Sequence, residues 1–160
     1  MNARLSPVVE QLKLNAWLFE RALAGLSDAE AARRHLERGN TIQWIAGHLT
    51  VSRYSIASLA GLPDESPFGG AFARGAPLGE PASYPPQSAI LEQWRAVGNR
   101  VAERLPALTD ADLDALAPVR LPIGDRTILG GFAFLALHET YHVGQLGYLR
   151  RLLGKGAVVE

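Results

Sequence analysis

An all-α fold, a four-helix bundle with a long loop between its second and third helices, is what this sequence predicts. Three observations lead there. Apolar residues recur at spacings of three and four along four separate stretches. Each stretch opens on a serine or threonine placed to cap a helix. No convincing pair of strands is visible. The long helices are expected near residues 7–25, 41–60, 88–105 and 127–153, within one domain over 1–160.

Ser6 reads as a capping hydroxyl, with Pro7 at the first helical position. Val8, Val9, Leu12, Ala16, Phe19, Leu23 and Leu26 then carry one apolar face. Ser27, Asp28, Ala29 and Glu30 spell a capping box that opens a short second piece, ending near Gly39. His35, among Arg33, Arg34, Glu37 and Arg38, reads as a solvated surface histidine. Asn40 and Thr41 cap the next long helix, with the stripe Ile42, Ile45, Leu49, Ser52, Ile56 and Leu59, closed by Gly61. His48 lies at the edge of that stripe, one turn after Trp44.

Residues 62–87 are rich in proline and glycine and form a loop longer than a helix hairpin needs. Such a connection can cross the bundle and let its flanking helices run parallel. Ser88 opens the third long helix, which carries Leu91, Trp94, Val97, Val101, Leu105 and Leu108. Thr109 to Asp112 opens another short turn. Pro118, Pro122 and Gly124 then break the chain around a brief extended segment at 119–123, and Thr127 caps the last helix, which runs to Gly154.

Lys plus Arg and Asp plus Glu both count 16, so the formal net charge is zero. No basic excess supports nucleic-acid binding, and no acidic excess marks a disordered tail. The absence of cysteine excludes disulfides and thiolate ligands, and leaves His and carboxylates to hold any metal. No apolar run approaches the roughly 20 residues of a membrane span, and no secretory leader is visible. A cytoplasmic protein acting on a small molecule is expected, with neither nucleic acid nor membrane as partner.

The last helix carries the chemistry. Its stripe runs through Ile128, Phe132, Leu135, Leu149 and Leu153, and two positions that should be Leu hold His138 and His142. Gln145 follows on the same face. Residues four apart lie one turn apart, so both rings can converge on one ion. A His-xxx-His pair alone is weak evidence, because core histidines also bond to backbone or to a neighbour such as Tyr141. The shared face, Gln145 and a third histidine on another core helix favour the ion. Three neutral imidazoles plus water make an open, reactive site, not a closed structural one. Its affinity is expected to fall as pH drops through about 6, where histidine protonates.

Residues 138–142 also spell His-Glu-x-x-His, the zincin peptidase pattern. The longer form of that pattern fails here, since Gln145 stands in its glycine place and Tyr148 in its histidine place. Glu160 is the only carboxylate after His142, and no sheet is available to bind an extended peptide. A peptidase is disfavoured.

Two segments carry a family resemblance: Thr41-Ile42-Gln43-Trp44-Ile45-Ala46-Gly47-His48-Leu49 and His138-Glu139-Thr140-Tyr141-His142-Val143-Gly144-Gln145-Leu146. With the run from Pro122 to Thr127 and the ending from Leu149 to Gly154, the chain resembles the DinB/YfiT-like superfamily of metal-binding four-helix bundles. The resemblance implies an up-down-down-up topology, which the long loop permits. It implies a divalent ion, zinc or nickel, held by His48, His138 and His142, with water completing the shell. It also implies a homodimer, to which apolar residues beside the first stripe (Leu14, Trp17 and Leu18) lend weaker support.

Relatives with known roles include thiol-dependent transferases, whose metal binds a low-molecular-weight thiol as thiolate. Three readings follow: a DinB-like metalloenzyme, either thiol-dependent transferase or metal-dependent hydrolase; a non-catalytic metal- or ligand-binding stress-response protein; or a metal-free helical interaction module. Glu139 is the candidate catalytic residue. It lies about 60° of helix rotation from His142, close enough to act on water at the ion or to orient a ligand. The alternative for Glu139 is a solvated or ion-paired carboxylate. Gln145 is expected to hydrogen-bond a histidine, and Trp44 to pack as core or pocket wall.

Overall fold

The computed structural model describes residues 2–35, 39–63, 65–72, 75 and 79–159. Glu37 and Arg38, expected around His35, lie outside these, as does Glu160. Among the described residues the helices are α1 (Ser6–Leu23), α2 (Asp28–Ala31), α3 (Ile42–Leu59), α4 (Gln87–Arg104), α5 (Asp110–Asp114) and α6 (Ile128–Leu152). The four long ones fall where the apolar periodicity put them. Among the described residues no strand forms. The segment expected to be extended at 119–123 makes no bridge, and an isolated antiparallel bridge joins Leu116 and Thr127 on either side of it.

Local chemistry sets the ends. Ser27 closes the expected capping box of α2, Thr109 closes another at the start of α5, and the Thr41 and Thr127 hydroxyls accept from Trp44 and Gly130 N–H. Gly61 and Gly154, with φ of 78° and 75°, take the left-handed conformation that ends α3 and α6. Two expected caps fail. Ser6 is already helical, because α1 starts from Leu5, which is fully buried and makes no side-chain cap. Ser88 sits inside α4; Pro86 precedes that helix, and the Asp28 carboxylate accepts the Gln87 N–H at 3.0 Å. A carboxylate from α2 thus replaces the local hydroxyl.

Cross-helix contacts fix the directions. Asn15 bonds Ala136 and Arg150 bonds Ala22, so α1 and α6 run parallel. Ser52 meets His138 while Leu59 closes on Gly131, so α3 runs against α6. Arg53 lies over Trp94 and Arg104 reaches Ala60, so α3 and α4 are parallel. The order is up-down-down-up, and the long 61–86 connection returns the chain between the two descending helices.

The core has two apolar halves. Leu5, Val9, Leu12, Ile56, Val101 and Phe132 fill one end, and Phe19, Leu49, Ile90, Trp94, Val143 and Leu146 the other. A buried polar layer of Asn15, Arg53 and Glu139 falls between them along the chain. This shifts the expected face of α6. Its most buried stripe runs Phe132, Leu135, Ala136, Glu139, Val143 and Leu146, while His138, His142 and Gln145 sit at its half-buried edge. A buried, paired carboxylate holds the core position that periodicity had given to the histidines.

The C-terminal segment is docked through Glu30, whose carboxylate meets Lys155 Nζ at 2.8 Å and Ser27 N–H at 2.9 Å. Lys155, then Ser27, holds the Glu30 pKa down at about 2 from its ordinary 4.5. The folded pKa is the lower one, so this contribution to stability is complete above pH 4.5 and is lost as pH falls to about 2. Lys155→Ala is expected to raise the Glu30 pKa in an NMR titration of its side-chain carboxyl carbon. A value still near 2 would leave Ser27 as the sole cause.

Candidate metal centre

His48, on α3, and His138 and His142, one turn apart on α6, meet at the seam between these antiparallel helices. One ring nitrogen from each lies within 4.8 Å of the other two, and all three rings are half-buried. The Nε2 atoms of His48 and His138 stand 3.2 Å apart. That spacing suits two ligands of one ion, since nitrogens about 2.0–2.1 Å from a metal at tetrahedral angles lie roughly 3.3 Å from each other.

The far side of each ring is held by an oxygen. His48 Nδ1 lies 2.9 Å from the Phe72 carbonyl, which only accepts, so the proton is on Nδ1 and the Nε2 lone pair faces the cluster. His142 Nδ1 lies 2.7 Å from Gln145 Oε1, and His138 Nδ1 lies 3.2 Å from Ser52 Oγ. Burial holds the His142 pKa below its ordinary value, against the Gln145 bond, which raises it, and a proton gained by His48 would lower it further. Neutral imidazole with a directed lone pair is the state that binds a metal.

Trp44 stacks on the His48 ring at 5.0 Å and 9°, as the pocket wall expected of it. Phe72 closes on Gly47, where an added Cβ would overlap its ring. Glycine at position 47 therefore lets the Phe72 segment approach α3 closely enough for its carbonyl to reach His48. Beside Gln145 opens a cleft of about 410 Å³, lined by Asn40, Ile45, Tyr141, Tyr148 and Leu149 among others.

His35 and Glu139 lie outside the cluster. His35 is not solvated: it lies in a bend after α2, half-buried, with Nε2 shut off from solvent and without a hydrogen-bond partner among the described residues. It is not in the histidine cluster. Glu139 is fully buried on the core side of α6, and Arg53 Nε and Nη2 bind its two oxygens at 2.7 and 2.8 Å. Of its two expected states, reactive or ion-paired, the geometry is that of the ion pair. Sequence reasoning missed Arg53, Ser52 and Phe72. Arg53 as the sole charged residue of α3, and Ser52 as a polar residue on its apolar stripe, were the available signal for the first two; Phe72 is distant in sequence and gave none.

A model of the DinB superfamily matches residues 11–146, a span that includes all three histidines. The chain belongs to the DinB superfamily. Among solved structures, YfiT from Bacillus subtilis, described as a probable metal-dependent hydrolase with an unusual four-helix bundle topology, superposes with a TM-score of 0.67. The match covers 98% of this chain and 91% of that chain at 16% identity, so what it shows is the shared fold. No curated protein matches. Residues from Leu149 to Gly154, which resembled the superfamily's ending, lie beyond the matched span.

Proposed function

We propose that this DinB-superfamily chain is a metal-dependent hydrolase of small molecules, with His48, His138 and His142 as ligands of one zinc or nickel ion. The observation that supports it is the cluster itself: three ring nitrogens within 4.8 Å, with Nδ1 of each ring set against an oxygen. When bound there, a divalent ion lowers the pKa of a ligating water or thiol and supplies a nucleophile at neutral pH. Phe72, Ser52 and Gln145 orient the rings. In this reading Glu139 is a positioning residue that ties α6 to Arg53.

Metal analysis of the purified protein comes first, with about one divalent ion per chain expected. Ester and amide substrates are then compared with electrophiles offered together with low-molecular-weight thiols. Turnover only with a thiol would replace the hydrolase by the transferase. Metal without any turnover would leave a binding protein, and no retained ion would remove the site altogether.

Gly47→Ala tests the support of His48. The added methyl collides with Phe72, at a cost of about 1–3 kcal/mol, and displaces the carbonyl that orients the ring. Metal affinity is expected to fall about 10–100-fold in a chelator competition, the usual effect of losing such a partner. Unchanged affinity would take the Phe72 carbonyl out of the site.

The homodimer is proposed on the same terms. Leu14 and Trp17 on α1, and Leu137 and Tyr148 on the neighbouring α6, are large apolar residues that remain exposed. Sedimentation is expected to give twice the 17.2 kDa chain mass at micromolar concentration. A single species at the chain mass would refute it.

A further inference from the structure

On the flank opposite the histidines, α1 and α4 leave a cleft of about 460 Å³ between them, the size of a small-molecule site. Its walls are apolar, with Val9, Leu12 and Ala16 from α1 and Val101 and Ala102 from α4. Arg53, reaching in from α3, also lines it, although that residue is only 4% exposed. Its Nε and Nη2 are committed to Glu139, and Nη2 donates to the Leu12 carbonyl as well. Nη1 has no hydrogen-bond partner among the described residues, and it is not among the atoms shut off from solvent. Residue 98 of α4 is a glycine that lines the same cleft, and a Cβ there would stand 3.3 Å from Nη1. The missing side chain opens the way from the cleft to the guanidinium.

A guanidinium edge facing an apolar cavity selects for a ligand acceptor, because a molecule that fills the cavity displaces water from Nη1 and must replace the bond it loses. Charge decides which acceptor. Glu139 already neutralises Arg53, and the charges at the rim are paired, Arg95 with Glu20 and Lys13 with Glu10. A second anion would be desolvated beside a neutral pair, with no unpaired cation to meet it among the described residues that line the cleft. A carbonyl oxygen accepts from Nη1 and brings no charge to bury. We propose that the α1–α4 cleft is a second small-molecule site, one that binds an apolar molecule through a neutral carbonyl oxygen hydrogen-bonded to Arg53 Nη1.

Calorimetric titration of the metal-loaded full chain tests this with three probes: methyl heptyl ketone, octanoate, and the alkene in which a methylene replaces the ketone oxygen. The ketone is expected to bind about tenfold more tightly than the alkene, the difference one hydrogen bond to a charged donor makes. Gly98→Leu, which fills the approach to Nη1, is expected to abolish ketone binding while metal content stays unchanged. Arg53→Lys, which keeps a cation beside Glu139 but lacks Nη1, should reduce the ketone to the alkene's affinity. Equal affinities for ketone and alkene in the wild type would overturn the proposal, as would tighter binding of octanoate or no binding of any probe. A dimer that Gly98→Leu dissociates, in a chain that binds no ketone, would assign the cleft to a second copy and overturn it too.

Discussion

His142→Ala is expected to strip the divalent ion from the purified protein while leaving the bundle folded. The cluster has three nitrogens, and no carboxylate joins them within ligand reach among the described residues. Removing one leaves a two-imidazole site. The loss should exceed the 10–100-fold that follows removal of a supporting partner alone. Stability should change much less. His142 lies at the half-buried edge of α6 and not on its core stripe, so a truncation there is worth about 1 kcal/mol, within the common range for single substitutions. Metal-to-protein ratio and far-ultraviolet circular dichroism read the two effects separately. His35→Ala, outside the cluster, should leave the metal content unchanged. A full complement of ion in the His142 variant would refute the assigned ligand set.

Much of this arrangement was legible in the residues. Four amphipathic stripes and the Thr41 and Thr127 caps place the long helices to within a few residues, because burial periodicity and capping are local properties. The spacing of His138 and His142 is equally local. What escaped was the polar layer. Glu139 reads as a group acting near His142 or as a solvated or ion-paired carboxylate, nothing singles out Arg53 as its partner, and only their meeting across two helices, 86 residues apart, makes them core. That pairing also moved the buried face of α6 by one residue and turned the histidines from core into edge. An edge position is the better one for chemistry, since a reagent can reach it. The failed cap at Ser88 has the same origin: Asp28 serves a helix that begins 59 residues later, which no local pattern encodes.

Glu139→Ala should be the most damaging single change to stability. Glu139 is fully buried and Arg53 is 4% exposed, so the substitution strands a guanidinium that cannot deprotonate in the centre of the bundle. Breaking a buried pair from one side costs about 3–5 kcal/mol, against a total stability of about 5–15 kcal/mol for a domain. Replacing both partners, Arg53→Met with Glu139→Leu, removes the stranded charge and is expected to restore most of that loss in urea denaturation. The same double variant decides what Glu139 does. If its carboxylate only ties α6 to α3, the histidines keep their places, and both metal content and kcat/KM return with stability. If the carboxylate acts on substrate, stability returns and kcat/KM does not. Both carboxylate oxygens are already bonded to Arg53, which is why the first outcome is expected.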